Sequence, residues 1–126
     1  HFNEKFHTLL KSEGIEFKID NRIDDDSLIM SANERLNLMR IVQESFANVI
    51  KHSHADTLCM NTDIKDNYFH ISIKDNGRGF DINSYRKNGY GLRNIARRCE
   101  DMGWRFDIKS EPGKGTVLDF QIPFPI

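Results

Sequence analysis

The sequence predicts a two-layer α/β sandwich of the α+β kind, a mixed, mainly antiparallel sheet covered on one face by about three helices. Two observations carry the prediction. Every strand-like run alternates apolar with polar residues and so has one face to bury, whereas the strands of a doubly wound parallel sheet would be apolar throughout. The order helix, strand, helix, strand, strand, connection, helix, strand, strand also sets two pairs of strands close enough in the chain to form hairpins.

The elements follow in chain order. HFNEKFHTLLKSEG sets Phe2, Phe6, Leu9 and Leu10 at helical spacing and then supplies Gly14 as a helix stop. In IEFKID, Ile15, Phe17 and Ile19 alternate against Glu16, Lys18 and Asp20, the pattern of a half-buried strand. NRIDDDSLIMS reads as irregular. SANE at 31–34 has the form of a capping box and opens a long helix running to about His52. TLCMNTDIK (57–65) and YFHISIKD (68–75) form a hairpin across Asp66 and Asn67. After a glycine-rich polar connection, GLRNIARRCEDMG reads as a helix ending at Gly103. WRFDIKS and TVLDFQIP, separated by the turn EPGKG, make the second hairpin.

At 126 residues, 38% apolar and 29% charged, the chain is the size of one domain with apolar side chains for one core. A single domain over residues 1–126 that folds alone is expected. A net charge of −1 gives no global attraction for nucleic acid or anionic membrane, so any anion site must be built locally. Arg93, Arg97, Arg98 and Arg105 do not alter this, since no aromatic and basic platform accompanies them. Cys59 and Cys99 stand apart without ligand spacing and read as reduced thiols of a cytosolic protein. No apolar run approaches a membrane span or a signal-peptide core. The start at HFNEKF, without an initiator methionine, is expected of a piece of a longer chain.

Three features depart from these patterns. In FHISIKD (69–75), alternation puts Asp75 on the apolar side with Phe69, Ile71 and Ile73. A carboxylate at the inner edge of a core needs a partner, because an unpaired buried charge is costly. In TVLDFQI, Thr116 likewise shares a face with Leu118, Phe120 and Ile122. Two small polar groups on a covered face suit the edge of a flat, mostly apolar ligand; a hydroxyl bonded to its local backbone is the plainer reading of Thr116. In the long helix, Leu38, Met39, Val42, Phe46, Val49 and Ile50 cluster on one side, with Arg40, Glu44, Asn48 and Lys51 on the opposite side. Such a charged stripe is ordinarily a solvated face. Here it also aligns a carboxylate, a carboxamide and an ammonium, and oxygen donors of this kind suit Mg²⁺, which keeps positions for water and phosphate.

The glycines complete the pattern. Gly77 and Gly79, around Arg78, let the chain turn sharply and bring backbone close to whatever Asp75 contacts. Gly89 and Gly91 precede a helix, whose first amides and dipole form a natural phosphate site. The pair lacks the third glycine of a dinucleotide fingerprint and does not close a strand, so a Rossmann reading fails.

RIVQESFANVIKHS, DNGRGF, NGYGLRNIARR and PGKGT, in this order and at these separations, resemble the ATP-binding catalytic domain of bacterial two-component sensor histidine kinases. These belong to the GHKL superfamily of gyrase, Hsp90, histidine kinases and MutL. The wording QExxxNxxKHS and the short interval between the glycine boxes are most similar to the subfamily that pairs with NarL-type response regulators. The likeness runs from about residue 15 to the end. It implies the Bergerat ATP-binding fold, with ATP and Mg²⁺ as cofactors. It further implies that Asp75 accepts a hydrogen bond from the exocyclic amine of adenine, with Thr116 near the same edge through water. Asn48 matches the magnesium-binding Asn, Glu44 the acid that orients a water or the metal-phosphate group, and Lys51 and His52 residues beside the phosphates. Gly77, Gly79, Gly89 and Gly91 match hinges and backbone donors around the nucleotide, with Leu92 beside them. The stretch 80–88 corresponds to a short lid carrying Arg86 and Lys87.

The activity implied by the resemblance is phosphoryl transfer from ATP to a histidine on a separate dimerisation and phosphoacceptor domain, with Mg²⁺ and Lys51 neutralising charge. None of His1, His7, His52, His54 or His70 has the acceptor's setting, so this chain should bind ATP without phosphorylating itself. The partners implied are the acceptor domain of the same kinase and a downstream response regulator, with no nucleic acid and no direct membrane contact. A cytoplasmic monomer is expected, whether or not the parent kinase is membrane-anchored. Two other readings stand beside this one: an anti-sigma-type serine kinase of the same superfamily, and a non-catalytic nucleotide-binding module. One departure from the family pattern is MGWRFD in place of a double glycine after the last helix, with Trp104 read as a core residue.

Overall fold

The computed structural model describes residues 2–21, 30–81 and 92–123. Its elements come in the expected order: α1 (Phe2–Ser12), β1 (Glu16–Asn21), α2 (Ala32–Asn48), β2 (Thr57–Lys65), β3 (Tyr68–Asp75), α3 (Leu92–Met102), β4 (Arg105–Ser110) and β5 (Thr116–Pro123). The strands form one sheet in the order β1-β2-β3-β5-β4. β1 and β2 pair in parallel, joined by the long connection through α2 that parallel neighbours require. The other three pairings are antiparallel.

Local chemistry sets the ends of these elements. α1 stops at Gly14 (φ 75°), where the Ile15 N–H donates to the Leu10 carbonyl at 2.8 Å and the Gly14 N–H to that of Lys11 at 3.0 Å. α3 stops in the same way at Gly103 (φ 74°), with the Trp104 N–H on the Cys99 carbonyl at 2.8 Å. One glycine therefore suffices in MGWRFD, and Trp104 is buried as expected. The capping box is formed: Ser31 Oγ accepts from the Glu34 N–H at 3.1 Å, and the Ser31 N–H donates to Glu34 Oε1 at 2.9 Å. Between β2 and β3, Asp66 and Asn67 both take left-handed φ values of 55° and 67°, the geometry that matches a two-residue turn to the twist of a hairpin.

The core lies between the inner face of the sheet and the helices, with Phe46 of α2, Ile95 of α3 and Phe120 of β5 almost wholly excluded from solvent. Two residues assigned above to buried stripes are instead exposed, Leu9 (41%) and Met39 (46%). The buried face of α2 and the turn after it is Ile41, Val42, Ser45, Phe46 and Val49, so its centre is rotated away from Met39. Asn48 lies two turns beyond Ile41 on almost the same line. It therefore borders the buried face and does not stand opposite it.

The α-helical winding of α2 also ends earlier than expected. Residues Val49–Ser53 continue as a π-helical turn, closed by His54 in a left-handed conformation (φ 53°). Single π turns of this kind are frequent at functional sites.

Candidate functional site

A cavity of about 250 Å³ opens where the C-terminal end of α2 meets the ends of β3 and β5. Ser45, Asn48 and Val49 line it from the helix side, and Asp75, Arg78, Gly79 and Phe80 from the end of β3 and the segment after it. Leu92 at the start of α3 and Thr116 and Leu118 of β5 complete the lining. Apolar walls with a few convergent polar groups are the usual make-up of a small-molecule site.

Sheet register brings the two out-of-place polar residues together. Asp75 of β3 and Thr116 of β5 are direct cross-strand partners, and Ser110 of β4 is the next residue along the same row. Asp75 is only 6% exposed, and its Oδ1 accepts the Gly77 N–H at 2.8 Å. Burial pushes the Asp75 carboxyl above the usual carboxylate range, and the backbone N–H groups of Gly77 and Thr116 pull against that shift. No cation pairs with Asp75 among the described residues. It is thus a strong acceptor at the edge of an apolar space, with capacity left for a donor from a ligand. The Thr116 hydroxyl is bonded to a side chain, Ser110 Oγ at 2.9 Å, and not to its local backbone as the plainer reading held.

The cavity-lining segment after β3 is backed by main chain. The turn 111–115 crosses the segment 75–79, and the Gly113 N–H donates to the Arg78 carbonyl at 2.6 Å. Gly79 and Gly115 sit in left-handed conformations (φ 62° and 80°); a Cβ on Gly79 would collide with the Glu111 carbonyl oxygen, and one on Gly115 with that of Asp75. Gly77 does not share the positive φ of Gly79 and does not line the cavity. Its contribution is the N–H given to Asp75, and the sharp turn falls to Gly79 alone. Asn76 anchors the segment from behind, its Oδ1 accepting the N–H groups of Asp56 and Thr57 at 2.9 Å each.

At the helix side, the Asn48 Nδ2 is buried and has no hydrogen-bond partner among the described residues. A buried amide left unsatisfied is uncommon and calls for a partner such as a water, an ion or a ligand. The common space expected for Glu44, Asn48 and Lys51 is not formed by all three, since Glu44 is half-buried, Lys51 is exposed, and neither lines the cavity. The π turn after Asn48 alters the winding on which the alignment of Lys51 depended. The His52 side chain, Gly89 and Gly91, and the lid residues Arg86 and Lys87 lie outside the described residues.

Of the candidate residues, Asn48, Asp75, Gly79, Leu92 and Thr116 therefore meet in one cavity. Ser45, Val49, Arg78, Phe80 and Leu118 also line it and were not singled out as site residues. Ser45 carried a signal, a polar residue inside the buried stripe of α2, where its Oγ donates to the Ile41 carbonyl at 2.8 Å. Val49 and Leu118 could be recognised as buried, but periodicity does not say which buried residues border a cavity.

The cavity joins a helix end to a carboxylate at a strand end and a glycine-backed turn, on a two-layer sandwich, and this combination defines a class. Residues 33–126 match the family of histidine kinase-, DNA gyrase B-, and HSP90-like ATPases, and the chain belongs to that family. Among its relatives are sensor protein VraS of Staphylococcus aureus, 32% identical over 86% of this chain, and sensor histidine kinase LiaS of Bacillus subtilis, 32% identical over 85%. The chain spans only 28% and 30% of the length of these two curated relatives. It is homologous to the catalytic domains of sensor histidine kinases. The solved catalytic domain of histidine kinase ThkA superposes with a TM-score of 0.75, over 97% of this chain and 89% of that one. At 17% identity this likeness concerns the fold.

Proposed function

We propose that residues 1–126 form a single catalytic domain that binds ATP with Mg²⁺ and presents the γ-phosphoryl group to a histidine on a separate phosphoacceptor domain. The observation that carries the reading is the buried carboxylate of Asp75 in one cavity with Thr116 and the amide of Asn48, the first without a cation and the last without a hydrogen-bond partner among the described residues. Asp75 accepts a hydrogen bond from the exocyclic amine of adenine, while Val49, Leu92 and Leu118 give the ring apolar walls. A base without that amine leaves acceptor capacity of the buried Asp75 unmet beyond its backbone N–H bonds, which costs more than the bond itself is worth.

The Asn48 side chain fits a cation that takes few protein ligands, since its carboxamide makes no hydrogen bond from Nδ2 among the described residues and has an oxygen to offer. Bound there, Mg²⁺ would neutralise charge on the phosphates. Glu44, one turn before Asn48, orients water or the metal-phosphate group, and Lys51 and His52 lie on the phosphate side. Gly77, Gly79, Gly89 and Gly91 supply backbone around the nucleotide. Catalysis here is positioning and charge neutralisation, with the nucleophile brought by the acceptor domain. The parent is then a cytoplasm-facing sensor kinase whose response regulator is of the NarL type.

Calorimetric titration with ATP and GTP, with and without Mg²⁺, tests the binding half. Magnesium-dependent binding of ATP with rejection of GTP is expected; equal binding of both bases overturns the role of Asp75. The transfer half is tested by mixing the chain with a sensor-kinase acceptor domain and radiolabelled ATP. Acid-labile label on the acceptor histidine is the expected product, and label on serine would favour the serine-kinase reading.

A further inference from the structure

Ser110 does not line the cavity, yet its hydroxyl stands at the junction of three contacts. It accepts the Phe80 N–H at 2.9 Å, lies 3.1 Å from the Gly115 carbonyl oxygen, and lies 2.9 Å from Thr116 Oγ1. A serine hydroxyl has one proton and two lone pairs. The Gly115 carbonyl can only accept, so the Ser110 proton belongs to that contact. The contact between the two hydroxyls is then left to the Thr116 proton. With the Ser110 proton on Gly115, Thr116 donates backward to Ser110 and turns lone pairs towards the cavity.

We infer that Ser110 is a positioning residue for base selection: it orients the Thr116 hydroxyl as an acceptor, so that Asp75 and Thr116 together face a ligand edge that donates. The row Asp75, Thr116, Ser110 across β3, β5 and β4 is the physical path of this effect. Two acceptors side by side favour an amino group and disfavour a carbonyl oxygen at the same place. A 6-aminopurine meets that condition, directly or through a water that relays the same polarity, and a 6-oxopurine does not. Without Ser110, the Thr116 hydroxyl is free to rotate and donate towards a carbonyl. This assignment rests on the nucleotide reading above.

The test compares ATP with ITP, which differ at the purine 6-position, in calorimetric titrations of the parent chain, Ser110→Ala and Ser110→Thr. The expected result for Ser110→Ala is a fall of about fivefold in the ATP-over-ITP preference, the size of one ordinary hydrogen bond. Ser110→Thr, which keeps the hydroxyl, restores the preference. In a Thr116→Val background the Ser110 substitution should change the preference no further. A merely structural role would weaken both nucleotides alike and leave their ratio unchanged, and that outcome overturns the proposal while leaving the nucleotide reading intact. A parent chain that binds neither nucleotide, or both equally, overturns the nucleotide reading and this proposal with it. If Ser110→Ala does not fold, Ser110→Cys, whose thiol is a weak donor and acceptor, carries the same comparison.

Discussion

Asp75 is the residue on which most of the functional reading turns, and two measurements isolate it. Asp75→Asn should weaken ATP binding by about 1.5–3 kcal/mol, the range for a hydrogen bond to a charged group, as read by calorimetry at neutral pH. The pH dependence has two opposite senses. Burial makes the folded chain hold the Asp75 proton more tightly than the unfolded chain does. Its stabilising contribution is therefore complete below the ordinary Asp range and is lost as pH rises through the raised folded value. Affinity for ATP runs the other way, falling as pH falls through that value, because a protonated oxygen is a poorer acceptor for the amine. Denaturant titrations and ATP titrations over the same acid range should both flatten in Asp75→Asn. Asn48→Ala offers a contrast: among the described residues Nδ2 has no partner to lose, so the melting temperature should stay near the parent's while the Mg²⁺ dependence of ATP binding disappears. Asp75 and Thr116 were legible in the sequence because alternation in a strand assigns each side chain to a face. Ser110 was not, since its role depends on three contacts made by the fold and on no periodicity.

Among the elements, the turn between β4 and β5 gives the sharpest prediction. Gly113 and Gly115 share left-handed backbone, but a Cβ on Gly113 meets open space and one on Gly115 meets the Asp75 carbonyl. Gly113→Ala should cost about 1–2 kcal/mol, the penalty of left-handed backbone, while Gly115→Ala should cost clearly more and weaken ATP binding as well. Urea denaturation of the two variants beside the parent checks the difference. Helix α2 shows where reading by period runs out. Its cap and approximate face were visible in SANE and in the apolar spacing, and the capping box is formed. The change to π winding at Val49 was not visible, because nothing in VIKHS differs in pattern from a continuing α-helix. That change affects the placement of Lys51, whereas Glu44 and Asn48 both lie in the α-helical part and only Asn48 borders the buried face. Met39 was misplaced for a simpler reason: an apolar residue at the margin of a stripe is assigned to a face by sequence, whereas burial depends on what packs beside it.

At the scale of the molecule, one-sided strands and short hairpin turns were enough to specify a single-layered sheet with helices on one side. The order of its strands was not readable, since alternation reports a strand's face and not its neighbour. The placement of β5 between β3 and β4 is the fact that unites Asp75 with Thr116. The whole-molecule layering also separates the two thiols. Cys99 is buried on α3 and its thiol is pushed up to about 12, while Cys59 is half-buried on β2. A thiol reagent applied to the native chain should label Cys59 first, with Cys99 labelled only on unfolding, as peptide mass spectrometry would show. The wall formed where the turn 111–115 crosses 75–79 has a pharmacological side. Its shape is written in peptide groups and two glycines that tolerate no Cβ, so side-chain replacement has little purchase on it. An inhibitor that gripped the Gly79 backbone there would leave few single substitutions able to dislodge it.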